Sequence, residues 1–512
     1  MGKGTFRNAI ALFAGMLVLS ALLVAAPAAQ AGLPRLKAVP DPVDGGRIVD
    51  SKGREVILRG VNVNSLGHYW QGSGKPATLP LEREDPARIA RIGWNLVRLI
   101  VSWSRVQPEP GRINYPYLKR VRAWVDRFES RGIYTVIDFH QDAWGPTLAA
   151  RPGEACVDPA QPAFGWDGAP GWATFDDGQP RCFTSNREVN PAVRAAWRNF
   201  FNDRPASDGT GIQTHYVRML GSVARMFARD TAVAGIDIMN EPNAFGPVEN
   251  QAMSDFYERA LKKIRQGEEK GRGFPHLVLF EPSVLWSLTG SGAPAPFGYD
   301  SGVVYSPHLY GGSIGSMGPP SRTSFENART EAAQFGGAPV LTGEWGGDPL
   351  RATGEGRGYF ARHQKLQDEF GFGAALWTWK QSCGDPHAAT NDPEVAPPLP
   401  PWSVYRMDCE GSSNRILGTF GKLVRDLRRG FVRRAPGKLE SMSFDPASST
   451  LSASGRIAGR STTGPLEIYL PGSLDHLKLK GLDRPEWKKL GPGTLVWLTP
   501  EGRRWQVTAS SR

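Results

Sequence analysis

The sequence predicts an α/β fold, a (β/α)8 barrel of the TIM type, followed by a small C-terminal β-sandwich. Three observations carry that expectation. The chain has 512 residues, enough for a barrel and an accessory module. Eight short β-branched or apolar runs alternate with amphipathic stretches as far as residue 380. After Arg434 the pattern becomes a period-two alternation broken by Pro, Gly and Asp.

The eight runs are residues 55–64, 95–101, 134–140, 235–240, 277–281, 303–308, 340–344 and 374–380. Helix-like segments lie among them at 117–131, 213–228, 254–269, 324–334 and 358–370. Strands alternating with helices read as parallel βαβ units, and a count of eight points to closure. The connection from the third run to the fourth, about 90 residues, far exceeds an ordinary loop. Its first part, 144–183, is rich in Gly, Pro, Trp and Phe, and would wall or roof the C-terminal face of the barrel. The last loop carries a Pro cluster at 391–401 beside Trp402. Beyond it, Ala435-Pro436-Gly437 reads as a linker. The alternating stretches 439–444, 466–470 and 494–498 then place the sandwich at 437–512 and the barrel at 32–434.

With 40% apolar and 22% charged residues, the composition excludes a disordered chain. Lys3 and Arg7, an apolar run at 10–25 and the small-x-small site Ala29-Gln30-Ala31 read as a secretory leader over 1–31. A single membrane anchor over 8–34 is the alternative; no later segment is apolar enough to span a bilayer. Four cysteines follow. Locality pairs Cys156 with Cys182 and Cys383 with Cys409, among three possible connectivities, in an oxidising compartment. No C-x2-C or paired-His spacing suggests zinc.

The formal charge is +11, or +9 without the two basic residues of the leader. Much of the excess sits at Arg425, Arg428, Arg429, Arg433 and Arg434, read as one solvated helix face or, alternatively, as a patch for peripheral contact with anionic lipid surfaces. No nucleic-acid-binding motif accompanies it. Sixteen Trp, many in Gly/Pro-rich stretches, suit either core packing or flat faces on which sugar rings stack.

Two strings carry the chemistry. Ile236-Asp237-Ile238-Met239-Asn240-Glu241-Pro242 is an apolar strand ending in Asn-Glu, with a proline that stops the ladder. Pro339-Val340-Leu341-Thr342-Gly343-Glu344-Trp345 is a second strand closing on a carboxylate. At the fourth and seventh strands, both glutamates reach the rim where barrel active sites lie. Such a pair, about 5 to 5.5 Å apart, suits double displacement at an anomeric carbon, one carboxylate attacking and the other protonating the leaving oxygen. Like-charge proximity is expected to raise the pKa of the acid, Glu241. Rim salt bridges are the bland alternative. His140 and Asp142 form an H-x-D that His308 could complete as a metal site, but hydrogen bonding in a sugar pocket fits better and no cofactor is implied. Gly72-Ser73-Gly74-Lys75-Pro76 lacks the first Gly and the Ser/Thr of a phosphate loop.

With these motifs the chain resembles glycoside hydrolase family 5, the cellulase-like family of clan A, almost along the whole barrel. The resemblance implies roles. Arg98, in Asn-Leu-Val-Arg-Leu, would hydrogen-bond the nucleophile, consistent with the two-pronged grip of a guanidinium. His140, in Asp-Phe-His-Gln-Asp, would face the −1 sugar, and Asn240 its 2-hydroxyl. His308 and Tyr310, in Ser-Pro-His-Leu-Tyr, would lie beside the nucleophile Glu344, and Trp377 would form the aromatic platform. A structural ion pair for Arg98 and barrel packing for Trp377 are the alternatives.

Within the family, the Asp-Phe-His-Gln-Asp string, the stapled third loop and the terminal sandwich resemble the endoglycoceramidase branch. That implies a secreted enzyme cleaving glycan from the ceramide of glycosphingolipids, with a site polar on the sugar side and apolar on the lipid side. Trp144, Phe164, Trp166, Trp172, Phe175 and Trp402 could supply the apolar half, or simply pack their loops. Asp142 suits the first sugar's hydroxyls, and His68, where the family often has a lysine nearby, would touch the glycone. A hydrolase of other β-glycosides or β-glycans, and a catalytically silent carbohydrate- or surface-binding protein, are the competing readings.

Overall fold

The computed structural model describes Met1 and residues 32–72, 74–184, 186–313, 321–349, 358–387, 402–457 and 462–512. The expected leader and the Pro cluster at 391–401 lie outside the described residues. The unit from Leu33 to Arg512 contains both the barrel and the sandwich.

The barrel strands are Arg59–Val63, Leu96–Val101, Tyr134–Phe139, Val233–Asp237, Leu277–Phe280, Val303–Tyr305, Leu341–Gly346 and Gly373–Trp377. Each pairs in parallel with its neighbour, and the eighth pairs with the first. The circuit closes between the sixth and seventh strands through a bridge from Tyr305 to Val340, where Tyr305 N–H donates to Pro339 O at 2.9 Å. All strand residues are buried, as expected when helices cover a parallel sheet. The lower interior is filled by Leu96, Val136, Leu279, Val304, Leu341 and Ala375, joined by Leu36 and Ile48 from the N-terminal segment. A larger apolar layer separates strands from the surrounding helices, including Ile212–Phe227 and Pro247–Lys270.

The sandwich draws on more of the chain than 437–512. Its seven-stranded sheet runs in the order Leu36–Val39, Arg47–Asp50, Arg54–Val56, Phe431–Pro436, Leu466–Leu470, Gly493–Pro500 and Leu482–Leu490. The facing sheet orders Lys438–Asp445, Thr450–Arg456, Arg504–Ser511 and Leu474–Lys480. Leu451 and Val507 of one sheet share a core with Ile468 and Val496 of the other. The single strand expected at 55–64 is therefore two, one in each domain, and the expected linker at Ala435-Pro436-Gly437 begins inside a strand.

The arginine cluster is not one solvated helix face. The helix stops at Leu427, and Arg429, Arg433 and Arg434 are buried in ion pairs with Asp368 and Glu467. Both disulfides form as expected, Cys156–Cys182 and Cys383–Cys409. Among the described residues no helix is long and apolar enough to cross a membrane.

Candidate active site

Inward positions change character from the bottom of the barrel to its top. Side chains alternate across a strand, so residues two apart share the interior. Leu96 leads to Arg98, Val136 to Asp138 and His140, Leu279 to Glu281, and Val304 to Ser306 and His308. An apolar floor thus carries a charged layer directly above it.

Arg98 is the hub of that layer and is fully buried. Its Nη1 donates to Glu344 Oε1 at 2.9 Å and to Asn62 Oδ1 at 3.1 Å. Nε donates to Asp237 at 2.9 Å, while Nη2 donates to Glu281 Oε1 at 2.8 Å and Asn240 Oδ1 at 2.9 Å. Asp138 Oδ1 lies 3.0 Å from Nη2. One cation cannot balance four carboxylates. Burial, reinforced by Glu281, pushes Asp237 well above the usual carboxylate range against the pull of Arg98.

Glu344 lies where the register between the seventh and eighth strands shifts. Besides Arg98 it accepts the Tyr310 hydroxyl at 2.8 Å. Glu241 follows the fourth strand at φ +38°, a left-handed backbone that non-glycine residues rarely adopt. Its N–H donates to Glu281 Oε2 at 2.7 Å, and its Oε1 accepts His308 Nδ1 at 2.8 Å and the Ser287 hydroxyl. One ligand atom from each of Glu241, His308 and Glu344 lies within 4.8 Å of the others.

The carboxyl shifts run opposite to the expectation from like-charge proximity. Burial pushes Glu241 up, but donation and charge from His308, with help from Ser287, hold it below the ordinary range. Glu344 is raised instead: burial, with the charge of Glu241, outweighs the pull of His308, Arg98 and His140. His308 is raised well above an ordinary imidazole; burial opposes its charge, but Glu281, Glu344 and Glu241 surround it. His308 thus holds its proton more firmly than an ordinary imidazole, one hydrogen bond from Glu241.

A second polar cluster surrounds His140. Its Nδ1 meets Asp138 Oδ2 at 2.7 Å, and its ring stacks on Trp377 with centroids 5.2 Å apart. Asp142 Oδ1 pairs with Arg187, and its Oδ2 lies 3.0 Å from His387 Nε2. Burial opposes the charge of Asp142, but Arg187, His140 and His387 carry it well below the usual range. His387, penalised by burial, is still raised to about 9 by Asp385 and Asp142. Asp167 comes within 4.8 Å of His140 and Asp142, so the H-x-D finds an aspartate as its third neighbour, while His308 sits with the glutamates.

A cavity of about 440 Å³ opens onto both clusters. Glu241, Glu344, Asp142, Tyr310, Trp377, His387 and Arg187 line it, together with Val284, Leu285, Leu288, Trp166 and Trp402. Of the expected apolar half, Trp166 and Trp402 reach the cavity. Trp144 and Trp172 instead pack edge-on against Trp103, Phe164 lies against Trp70, and Phe175 sits under Arg204.

Of the ten residues expected at the site, nine gather around the glutamates or Asp142. His68 does not: its Nδ1 meets Ser104 Oγ at 2.9 Å, its N–H bonds Ser102, and it is absent from the cavity wall. Burial lowers its imidazole to about 4, with Arg105 adding to the effect. Arg187, Glu188, Glu281, Ser287 and His387 were not foreseen. The strand period pointed at Glu281, two residues beyond Leu279; Arg187 and Glu188 sit in a three-residue 3-10 turn, Ser287 in a four-residue helix and His387 in a loop, all too short for a periodic signal.

A family model for cellulase (glycosyl hydrolase family 5) matches residues 49–382. Endoglycoceramidase I of Rhodococcus hoagii is 29% identical over 285 residues, covering 52% of this chain and 52% of that protein. The chain spans about half the length of the curated relatives it matches. A solved endogalactoceramidase aligns with a TM-score of 0.81 and 36% identity, over 93% of this chain and 100% of that one. Endo-glycoceramidase II from a Rhodococcus species, in complex with a cellobiose-like isofagomine, aligns at 0.68 with 26% identity over 91% and 99% of the two chains.

Proposed function

The chain belongs to glycosyl hydrolase family 5 and acts on O-glycosyl bonds, and from that premise we propose that it releases ceramide from glycosphingolipids by a retaining double displacement. The observation that carries the substrate class is what stands beside Glu241. The acid must protonate the leaving oxygen, so its neighbours border the aglycone. Glu241 bonds Ser287, and that segment turns Val284, Leu285 and Leu288 into the same cavity. An apolar leaving group fits such a wall; a further sugar would leave its hydroxyls unpaired there.

Glu344, oriented by Arg98 and Tyr310, attacks the anomeric carbon as the bond to the leaving oxygen breaks. Glu241 delivers to that oxygen a proton drawn from His308 across their hydrogen bond, which leaves the imidazole neutral and Glu241 ionised. In the second half Glu241 accepts a proton from water, which attacks the glycosyl ester and frees Glu344. The proximity of the two glutamates, with atoms inside 4.8 Å, supports retention over inversion, which needs about 6.5–9.5 Å between carboxyls for an intervening water. His140, Asp142, Asn240 and Trp377 bind the glycone. The leader read over 1–31 and the two disulfides support a reaction outside the reducing cytosol.

Mass spectrometry of a glycolipid panel tests the substrate: free ceramide is expected, with no release from cellulose or mannan oligomers, and the reverse pattern overturns the reading. For the roles, Glu344→Gln is expected to abolish turnover while keeping glycolipid binding. Glu241→Gln is expected to lose about 10²–10⁴-fold on natural substrates and far less on aryl glycosides with good leaving groups. Equal losses on both would refute the assignment.

A further inference from the structure

The buried carboxylate of Glu281 bonds the main chain of the proposed acid, and nothing in the double displacement described so far uses it. Its Oε2 accepts the backbone N–H of Glu241 at 2.7 Å, the residue whose φ is +38°. Its Oε1 takes the Arg98 guanidinium at 2.8 Å and stands 3.2 Å from His308 Nε2, on the side of the ring opposite Glu241. Its own main-chain carbonyl is tied down by the Tyr257 hydroxyl at 2.8 Å. The side chain is 2% exposed.

We propose that Glu281 is the positioning residue of the acid/base: it clamps the Glu241 elbow through the main chain and fixes the imidazole that feeds Glu241 its proton. The inference rests on the assignment of Glu241 as acid. Two physical effects follow. The Glu281–N–H bond offsets the left-handed conformation of Glu241, so that its carboxyl points at the leaving oxygen. The negative charge behind His308 also raises the affinity of the His308–Glu241 pair for its shared proton. The charged or titratable groups facing this assembly are Arg98, Asp237, Tyr257 and Tyr305 on Glu281, Glu241 and Glu344 on the far face of His308, and Asp142 and Arg187 towards Glu241. Tyr310 stands edge-on to the His308 ring. None of these can replace Glu281 at Nε2. Asp237 is engaged by Arg98, Arg98 is a cation, and the two catalytic glutamates approach His308 through Nδ1.

The test is Glu281→Gln, nearly isosteric but neutral, with Glu281→Asp, which keeps the charge and shortens the reach. For Glu281→Gln, kcat on an alkyl or lipid β-glycoside is expected to fall about 10–100-fold, with KM little changed and a much smaller loss on a dinitrophenyl glycoside. Its alkaline limb should move to lower pH, because the shared proton is held less tightly. Glu281→Asp should lose rate on the poor leaving group yet keep the wild-type alkaline limb. Equal losses on both substrates with an unmoved limb, or unchanged kinetics, in protein with the wild-type circular dichroism would overturn the proposal. If Glu281→Gln does not fold, a displaced limb in Glu281→Asp overturns it as well. Glu241→Gln in the same assays separates the two ideas: if it shows no leaving-group dependence, the acid assignment itself fails.

Discussion

Glu467→Gln probes the joint between the sandwich and the bottom of the barrel. The carboxylate is 7% exposed, is bonded by Arg434 and lies 3.3 Å from Arg433 Nε; Trp497 Nε1 donates to it at 3.2 Å. Arg433 in turn donates to Gly132 O at 3.2 Å, and Arg434 lies over the ring of Tyr134, the first residue of the third barrel strand. Burial alone would raise the carboxyl, but Arg434 and Arg433 pull it from 4.5 down to about 2. At ~1.4 kcal/mol per pKa unit, that fall is worth roughly 3 kcal/mol of folding stability. Because the folded pKa is the lower one, the contribution is complete above 4.5 and disappears as pH falls through about 2. Removing the charge also strands two buried guanidinium groups, a loss of about 3–5 kcal/mol in comparable pairs. Urea unfolding at pH 7 should therefore show Glu467→Gln less stable by about 3 kcal/mol, with the slope unchanged. Near pH 3 the difference should shrink to about 1 kcal/mol. A loss below about 1 kcal/mol at pH 7, or one that does not depend on pH, would refute the reasoning.

Two further outcomes follow from the site. The pH–rate profile should be bell-shaped: activity falls at low pH as Glu344 is protonated, at a value above the ordinary 4.5, and at high pH as the His308–Glu241 pair loses its proton, above the ordinary 6.5; an acid limb below 4.5 would contradict the environment described for Glu344. Trp402→Ala should lower kcat/KM for glycolipid about tenfold, the equivalent of ~1.4 kcal/mol of lost apolar contact, and leave a soluble aryl glycoside nearly unaffected; equal effects on both would move Trp402 away from the aglycone.

What could be read in the sequence was whatever a strand's period and its end specify. Glu241 and Glu344 each close an apolar run, so rim position followed from the run itself, and Arg98, His140 and His308 fell on the same inward register. Pairing between distant segments left no such trace. Arg54 faces Pro436 across a sheet, and nothing near either residue announces it. The same blindness made Arg433 and Arg434 look solvated, because their partner Glu467 lies on another strand. Loops behaved likewise. Cys156–Cys182 staples the excursion after the third strand and Cys383–Cys409 the one after the eighth, and local spacing revealed both. It could not reveal that Arg187, just past the first staple, takes one oxygen of Asp142 while His387, inside the second, faces the other. Two loops with separate anchors thus meet on one carboxylate at the cavity wall. Precision there depends on both being held, which gives each disulfide a reason to sit where it does.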